Sequence, residues 1–299
     1  MFEGFDPLRM SVADDVTIDL VVGGDGPPLL LLHGYPQTHV MWHRVAPALA
    51  ERFTVVAPDL RGYGDSSTPP TTDDHAVYSK RATAADQVAV MEALGFDRFH
   101  LAGHDRGGRV GHRLALDHPE RVRSLAVLDI APTYAMYTTT DMTFAEAYYH
   151  WFFLIQPYDL PERMIGADPE FFLRHKFGQW GRDDTAFTPE AMAEYVRCFT
   201  PATIHASCED YRASASIDLG HDRADLDAGR RLDCPVLALW GAKGFVGRHY
   251  DVVGEWRGWA DDVHGWALPS GHFLPEEAPA ATRDALRGFF GRSTSAPRR

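Results

Sequence analysis

The chain has 299 residues, 45% of them hydrophobic, and carries a formal net charge of −13. That apolar content can bury one large core, and the length exceeds the usual single domain enough to predict an inserted segment. The acidic balance argues against nucleic acid and anionic membranes as partners, and an anionic substrate would need a local cationic pocket to offset it.

In chain order, Val16–Val22 followed by Gly23-Gly24-Asp25-Gly26 predicts a strand running into a turn. Leu29–Leu32 is a short, wholly apolar run of the kind found in a central parallel strand, and it ends in the loop His33-Gly34-Tyr35-Pro36. Helical spacing follows over Val40–Ala50, then a strand over Phe53–Ala57 and the loop Asp59–Gly64. A helix is predicted over Lys80–Leu94, closing at Gly95. Phe99–Ala102 predicts a buried strand, Arg109–Leu116 a helix, and Ser124–Leu128 a strand ending at Asp129. This alternation of strand and helix implies a parallel sheet covered on both faces. From Pro132 to Gly229 the pattern changes to aromatic-rich helical segments (Phe144–Leu154, Phe171–Trp180, Ala191–Phe199) with no convincing strand. A helical cap over 132–229, inserted into a core of 1–131 and 230–299, is therefore expected. Strands resume at Val236–Trp240 and within Gly265–Leu268, a last helix covers Ala278–Phe290, and Ser293–Arg299 is expected to fray.

No stretch is long and apolar enough to span a bilayer, and the N-terminus lacks a basic region followed by an apolar run, so a soluble cytoplasmic protein is expected. Cys198, Cys208 and Cys234 have no metal-ligand spacing and read as small apolar residues without disulfides.

The stretch Gly103-His104-Asp105-Arg106-Gly107 has the layout of a nucleophile elbow. Such an elbow is a tight strand-to-helix turn whose small flanking residues let the backbone expose one side chain. An aspartate stands where many hydrolases carry serine, and this changes the reaction. A serine that displaced a leaving group from saturated carbon would be left as a stable ether. An aspartate is left as an ester, which water can cleave at the carbonyl. Attack on an sp³ carbon, as in an alkyl halide or an epoxide, is the expected chemistry.

The general base is expected at His272, in Ser270-Gly271-His272-Phe273 after the last strand. The segment after the penultimate strand, Gly241-Ala242-Lys243-Gly244, has no carboxylate to orient it, so Asp129 is the candidate partner acid; otherwise Asp129 merely caps a turn. Two backbone N–H groups, of Tyr35 and Arg106, are expected to form the oxyanion hole. Arg106 and Arg109, three apart at a helix start, could hold a substrate carboxylate by forked hydrogen bonds. The alternative for Arg109 and Arg113 is pairing with acids such as Asp117. His150, Trp151 and Tyr211 offer N–H and O–H donors to a departing halide, although an aromatic helix such as Tyr148–Phe153 is more often apolar packing.

Along almost its whole length the chain resembles the haloacetate (fluoroacetate) dehalogenases of the α/β-hydrolase superfamily. The matching stretches include His33–His39, Gly103–Gly107, His150-Trp151, Cys208–Ala213 and Ser270–Glu277. The resemblance implies the α/β-hydrolase fold, a mostly parallel doubly wound sheet with an inserted helical cap. It implies Asp105 as nucleophile, His272 as base and Asp129 as its partner, Arg106 and Arg109 as carboxylate ligands, and His150, Trp151 and Tyr211 as a halide pocket lined also by Trp180. It further implies a small anionic haloacid substrate converted through an aspartyl ester to glycolate and halide, with no metal or organic cofactor, in a homodimer. Tyr35 is a departure, standing where phenylalanine is expected. Epoxide hydrolysis with the same Asp105 and His272 is the alternative, but it gives the two arginines no role.

Overall fold

A computed structural model describes residues 1–183 and 185–293; most of the tail expected to fray lies outside them. An eight-stranded sheet forms from β1 (Phe5–Ala13), β2 (Val16–Gly23), β3 (Pro28–Leu32), β4 (Thr54–Pro58), β5 (Phe99–His104), β6 (Val122–Leu128), β7 (Val236–Gly241) and β8 (Val263–Leu268). Their spatial order is β1-β2-β4-β3-β5-β6-β7-β8. β1 and β2 form an antiparallel hairpin, β2 pairs antiparallel with β4, and every later pairing is parallel. The chain is thus an α/β-hydrolase fold with a mostly parallel sheet.

The apolar runs are central because both of their faces are covered. Leu29 and Leu31 belong to the core on one side of the sheet and Leu30 and Leu32 to the core on the other, all fully buried, as the two-residue period of a strand requires. β1 escapes a sequence reading because Phe5–Ala13 is mostly exposed at the sheet edge and carries Asp6, Pro7 and Arg9 in place of an apolar run.

Two helical expectations change. Val40–Ala50 is a 3₁₀ turn at His39–Trp42 and a separate helix at Ala46–Ala50, with Pro47 in that second helix's first turn; proline has no N–H to continue a preceding helix. Phe144–Leu154 is likewise divided, into helices Met142–Ala147 and His150–Phe153. Among the described residues, the stretch between β6 and β7 forms helices and no strand. No helix among them is long and apolar enough to cross a membrane. The cysteines are buried and free of disulfides.

β5 runs directly into helix Arg106–Asp117, and this junction packs against the end of β3 with no room to spare. A methyl on Gly107 would meet the His33 carbonyl oxygen and lie 2.6 Å from that of Leu32. Gly107→Ala should therefore destabilise the fold by about 1–3 kcal/mol, read as a lowered urea midpoint. An unchanged midpoint would mean that the close approach imposes no constraint.

Candidate active site

Asp105 occupies the turn between β5 and helix Arg106–Asp117 with φ 46° and ψ −115°. A non-glycine residue held there costs on the order of 1–3 kcal/mol, and such strain persists only where its surroundings over-determine it. They do so here. The Asp105 N–H donates to the Leu128 carbonyl at 3.2 Å, and the Asp105 carbonyl accepts from the Arg109 N–H at 3.2 Å. Gly34 leaves the space the side chain needs, since a Cβ on it would sit 2.5 Å from Asp105 Cβ and 2.8 Å from Oδ1. The Tyr35 N–H donates to that Oδ1 at 2.9 Å, so the expected oxyanion-hole donor already touches the carboxylate. Asp105 is buried. Burial alone would raise its carboxyl, but the charges of His272 and Arg109 outweigh burial and hold it below its ordinary value.

Asp129 follows β6, the neighbour of β5, also in positive φ (53°). Its Oδ2 accepts from His272 Nδ1 at 2.6 Å and its Oδ1 from the Gly241 N–H at 2.9 Å. The end of β7, which has no carboxylate to offer, contributes a backbone donor that aims Asp129. With Nδ1 committed to a carboxylate, Nε2 of His272 is the nitrogen free to take a proton. Burial would lower the His272 pKa, but the hydrogen bond and charge of Asp129 prevail and raise it above its ordinary value. Two further bonds fix the main chain here. His104 Nε2 donates to the His272 carbonyl at 2.8 Å, and the His272 N–H donates to the Trp180 carbonyl at 3.1 Å. Burial drives the His104 imidazole down to about 3, so it is neutral and holds the loop without adding charge.

Arg106 and Arg109 are both buried, but they are not equivalent. Arg106 turns the Nε and Nη2 side of its guanidinium to Asp210, with Nε to Oδ2 at 2.8 Å and Nη2 to Oδ1 at 2.9 Å. The forked pairing expected for a substrate is already used within the protein. What remains is Nη1, buried and without a partner. Arg109 donates from Nη1 to the Ala131 carbonyl at 3.1 Å and to Thr133 Oγ1 at 3.0 Å, and lies over the Trp151 ring at 4.7 Å. Those partners are neutral, and its Nε is buried and unpaired. Arg113 pairs with Asp117, Asp222 and Asp225.

The helical stretch between β6 and β7 brings His150, Trp151, Trp180 and Tyr211 together. Ring centroids are 4.5 Å apart for His150 and Trp180, 5.7 Å for His150 and Tyr211, and 6.3 Å for Trp151 and Tyr211. Trp180 also lies 5.7 Å from the His272 ring and Tyr35 lies 5.5 Å from Tyr211, which closes the group over the elbow. His150 Nδ1, Trp151 Nε1, Trp180 Nε1 and the Tyr35 hydroxyl are buried with no hydrogen-bond partner. Burial and the nearby charge of Lys176 hold His150 well below its ordinary pKa, so its ring is neutral. Several donors with nothing to donate to are more than packing requires.

The same stretch is joined to the histidine loop by more than Trp180. The Arg182 and Gly271 N–H groups both donate to Glu277 Oε2 at 2.9 Å. The Tyr195 hydroxyl donates to Glu276 Oε1 at 3.0 Å, and Gln37 donates to Glu276 Oε2. Sequence reasoning missed Asp210, His104 and Glu276. All three lie inside quoted motifs, but nothing in their residue type showed which atoms they would meet.

Residues 27–279 match the α/β hydrolase fold family. The chain is 50% identical to a fluoroacetate dehalogenase from Burkholderia sp over 99% of its own length and 97% of that protein's. It is 37% identical to a soluble epoxide hydrolase from Corynebacterium sp., over 90% and 92% respectively. A solved structure from Nostoc sp PCC 7120, described as an α/β hydrolase, is 60% identical over 97% of this chain and 99% of that one, with a TM-score of 0.95. An elbow at the end of a central parallel strand, a histidine after the last strand and a match to the family model through 253 residues (27–279) lead to one conclusion: the chain belongs to the α/β-hydrolase fold family, with a fluoroacetate dehalogenase among its relatives.

Proposed function

We propose that the protein is a hydrolytic dehalogenase of small 2-haloacids, haloacetate first among them, with residues 132–229 acting as a cap over a core of 1–131 and 230–299. The observation that carries this reading is the pair of buried, unpartnered guanidinium N–H groups, Arg106 Nη1 and Arg109 Nε, within a helical turn of a buried aspartate on an elbow. A carboxylate is the ligand that such donors suit. With the substrate carboxylate held there, an Asp105 oxygen attacks the halogen-bearing carbon and forms a C–O bond as the C–X bond breaks. The halide departs toward Trp151 Nε1, His150 and the Tyr211 hydroxyl. His272 Nε2 then takes a proton from water, and the hydroxide adds to the ester carbonyl, where backbone donors stabilise the oxyanion. Collapse expels the glycolate oxygen, which takes the proton from His272, and loss of the remaining acid proton to solvent regenerates the Asp105 carboxylate.

Epoxide hydrolysis is the second reading. The resemblance to an epoxide hydrolase and the unpartnered hydroxyls of Tyr35 and Tyr137 favour it, but it leaves the buried arginines without a role. Halide release from fluoro-, chloro- and bromoacetate, set against diol formation from styrene oxide, tests one reading against the other.

Three outcomes are expected. His272→Asn should still displace halide but slow ester hydrolysis by about 10²-fold or more, so intact-protein mass spectrometry after bromoacetate treatment should show an adduct mapping to Asp105. Release of one equivalent of halide with no adduct would contradict the covalent order.

The second concerns pH. The base must be neutral, so wild-type ester hydrolysis should rise with pH through the raised His272 pKa. Asp129→Asn removes the strongest influence that raises it and leaves burial opposed only by the weaker charges of Asp105 and Glu277, moving that limb to lower pH while lowering the plateau rate. An unshifted limb would separate Asp129 from the titration.

Third, fluoride is the poorer leaving group and depends more on donors already in place. Trp151→Phe should therefore depress fluoride release more than bromide release, by about tenfold in their ratio, the range of one hydrogen bond to a charged group. An unchanged ratio would return Trp151 to a packing role.

A further inference from the structure

Asp210 has no place in the reaction just described, yet more buried donors converge on it than on any residue of the candidate site. Its carboxylate accepts from Arg106 Nε at 2.8 Å, Arg106 Nη2 at 2.9 Å, the Tyr63 hydroxyl at 2.9 Å, and Lys80 Nζ. Its backbone carbonyl takes a further bond from Arg106 Nη2 at 2.9 Å. Lys80 is itself tied to Asp218, whose Oδ1 accepts the Lys80 N–H at 2.9 Å and whose Oδ2 lies 3.7 Å from Nζ. Ser214 Oγ, one helical turn beyond Asp210, accepts from Arg106 Nη2 and lies 3.4 Å from Asp218 Oδ2. The Tyr211 ring closes one face of the guanidinium, 4.1 Å from Cζ. Burial works against ionising Asp210, but the charges of Arg106 and Lys80 hold its carboxyl well below the usual range.

An arginine side chain has several rotatable bonds, and a buried one with no fixed partner would sweep its N–H groups through the pocket. Here the plane of Arg106 is set by two parallel bonds on one side and by an aromatic face above, so the position of Nη1 follows without further freedom. Its charge is also matched inside the protein. The ionic row Asp218, Lys80, Asp210, Arg106 alternates in sign and sums to zero, whereas Arg109 has only neutral hydrogen-bond partners. Arg109, whose charge also faces Asp105, is left as the cation that an incoming anion would share with that carboxylate, and Arg106 as an aimed donor.

We infer that Asp210 is a positioning residue for Arg106: by taking the Nε and Nη2 side of the guanidinium, with Ser214 steadying Nη2, it leaves Nη1 as the one guanidinium nitrogen presented to the substrate carboxylate. This rests on the reading of Arg106 as a carboxylate ligand.

The test is a double-mutant cycle on the full-length protein, with bromide release from bromoacetate giving kcat and KM and with acetate as a non-reacting competitor. Asp210→Asn should lower kcat/KM about tenfold to a hundredfold, the range for one charged hydrogen-bonded contact, and should raise the acetate inhibition constant. Ser214→Ala keeps every charge and should cost about two- to fivefold. If both act through Arg106, each loss should shrink to less than about twofold in an Arg106→Met background. A merely structural contribution would multiply undiminished in that background, and this result would overturn the inference, as would wild-type kinetics for Asp210→Asn. If Asp210→Asn fails to fold, the Ser214→Ala cycle decides by the same criterion. Wild-type turnover in Arg106→Met alone would overturn the carboxylate-ligand reading together with this one. Loss in Arg106→Met with additive Asp210 and Ser214 effects would overturn only the inference.

Discussion

A carboxylate kept charged while out of water is the constraint on which the rest of this structure turns. Asp105 is 5% exposed, and an isolated ionised carboxyl at that depth would take up a proton to avoid the cost of desolvation. The fold prevents this with a backbone donor from Tyr35 and with the positive charges of His272 and Arg109. Each of those must itself be held without cancelling the effect. His272 is turned by Asp129, whose other oxygen is occupied by the Gly241 N–H, and Arg109 by neutral groups that take hydrogen bonds but contribute no opposing charge. The strained turn at Asp105 belongs to the same design. It removes the side chain from the packed layers of the sheet and brings it to where the ends of β3 and β6 can reach it.

The frame of the candidate site was legible in the amino-acid sequence because it depends on local rules. Gly103 and Gly107 mark a turn that only small residues permit, and Leu29–Leu32 can only be a central strand. Asp129 directly follows β6 and His272 lies in the loop after β8, so the topology brings them to the same end of the sheet once the strands are parallel. What could not be read depends on which atoms meet across long separations. Arg106 reads as a fork for a ligand until Asp210, 104 residues later, is seen to occupy that fork. The break at His43–Val45 was visible in principle in Pro47, but the apolar spacing around it suggested continuity. β1 gives no signal because an exposed edge strand has no need of apolar alternation.

The aromatic group over the elbow has a cost that packing alone would not justify. Several indole, imidazole and phenol donors are buried with nothing to bond, and each such group weakens the fold by about 1–3 kcal/mol relative to a satisfied one. Proteins tolerate such deficits where a ligand makes good the bond, and several of them gather beside Asp105, whereas those of Trp42, His100 and His112 lie away from it. Under the proposed reading the deficit is the preorganisation itself, because donors already stripped of water need no rearrangement when negative charge arrives.

The Trp180 carbonyl, which accepts the His272 N–H, bears on how such proteins can diversify. The histidine loop and the helical stretch share hydrogen bonds at Trp180, Arg182 and Tyr195, so neither has an independent outline. A recombination that exchanged the helical stretch for another family member's would also replace part of the support of the histidine, and the recipient loop would meet unfamiliar backbone partners. Shuffling along this boundary would preserve the support of the histidine only when the seam travels with the insert, because Trp180, Arg182 and Tyr195 form one hydrogen-bonded unit with residues 270–277 despite their distance in the chain.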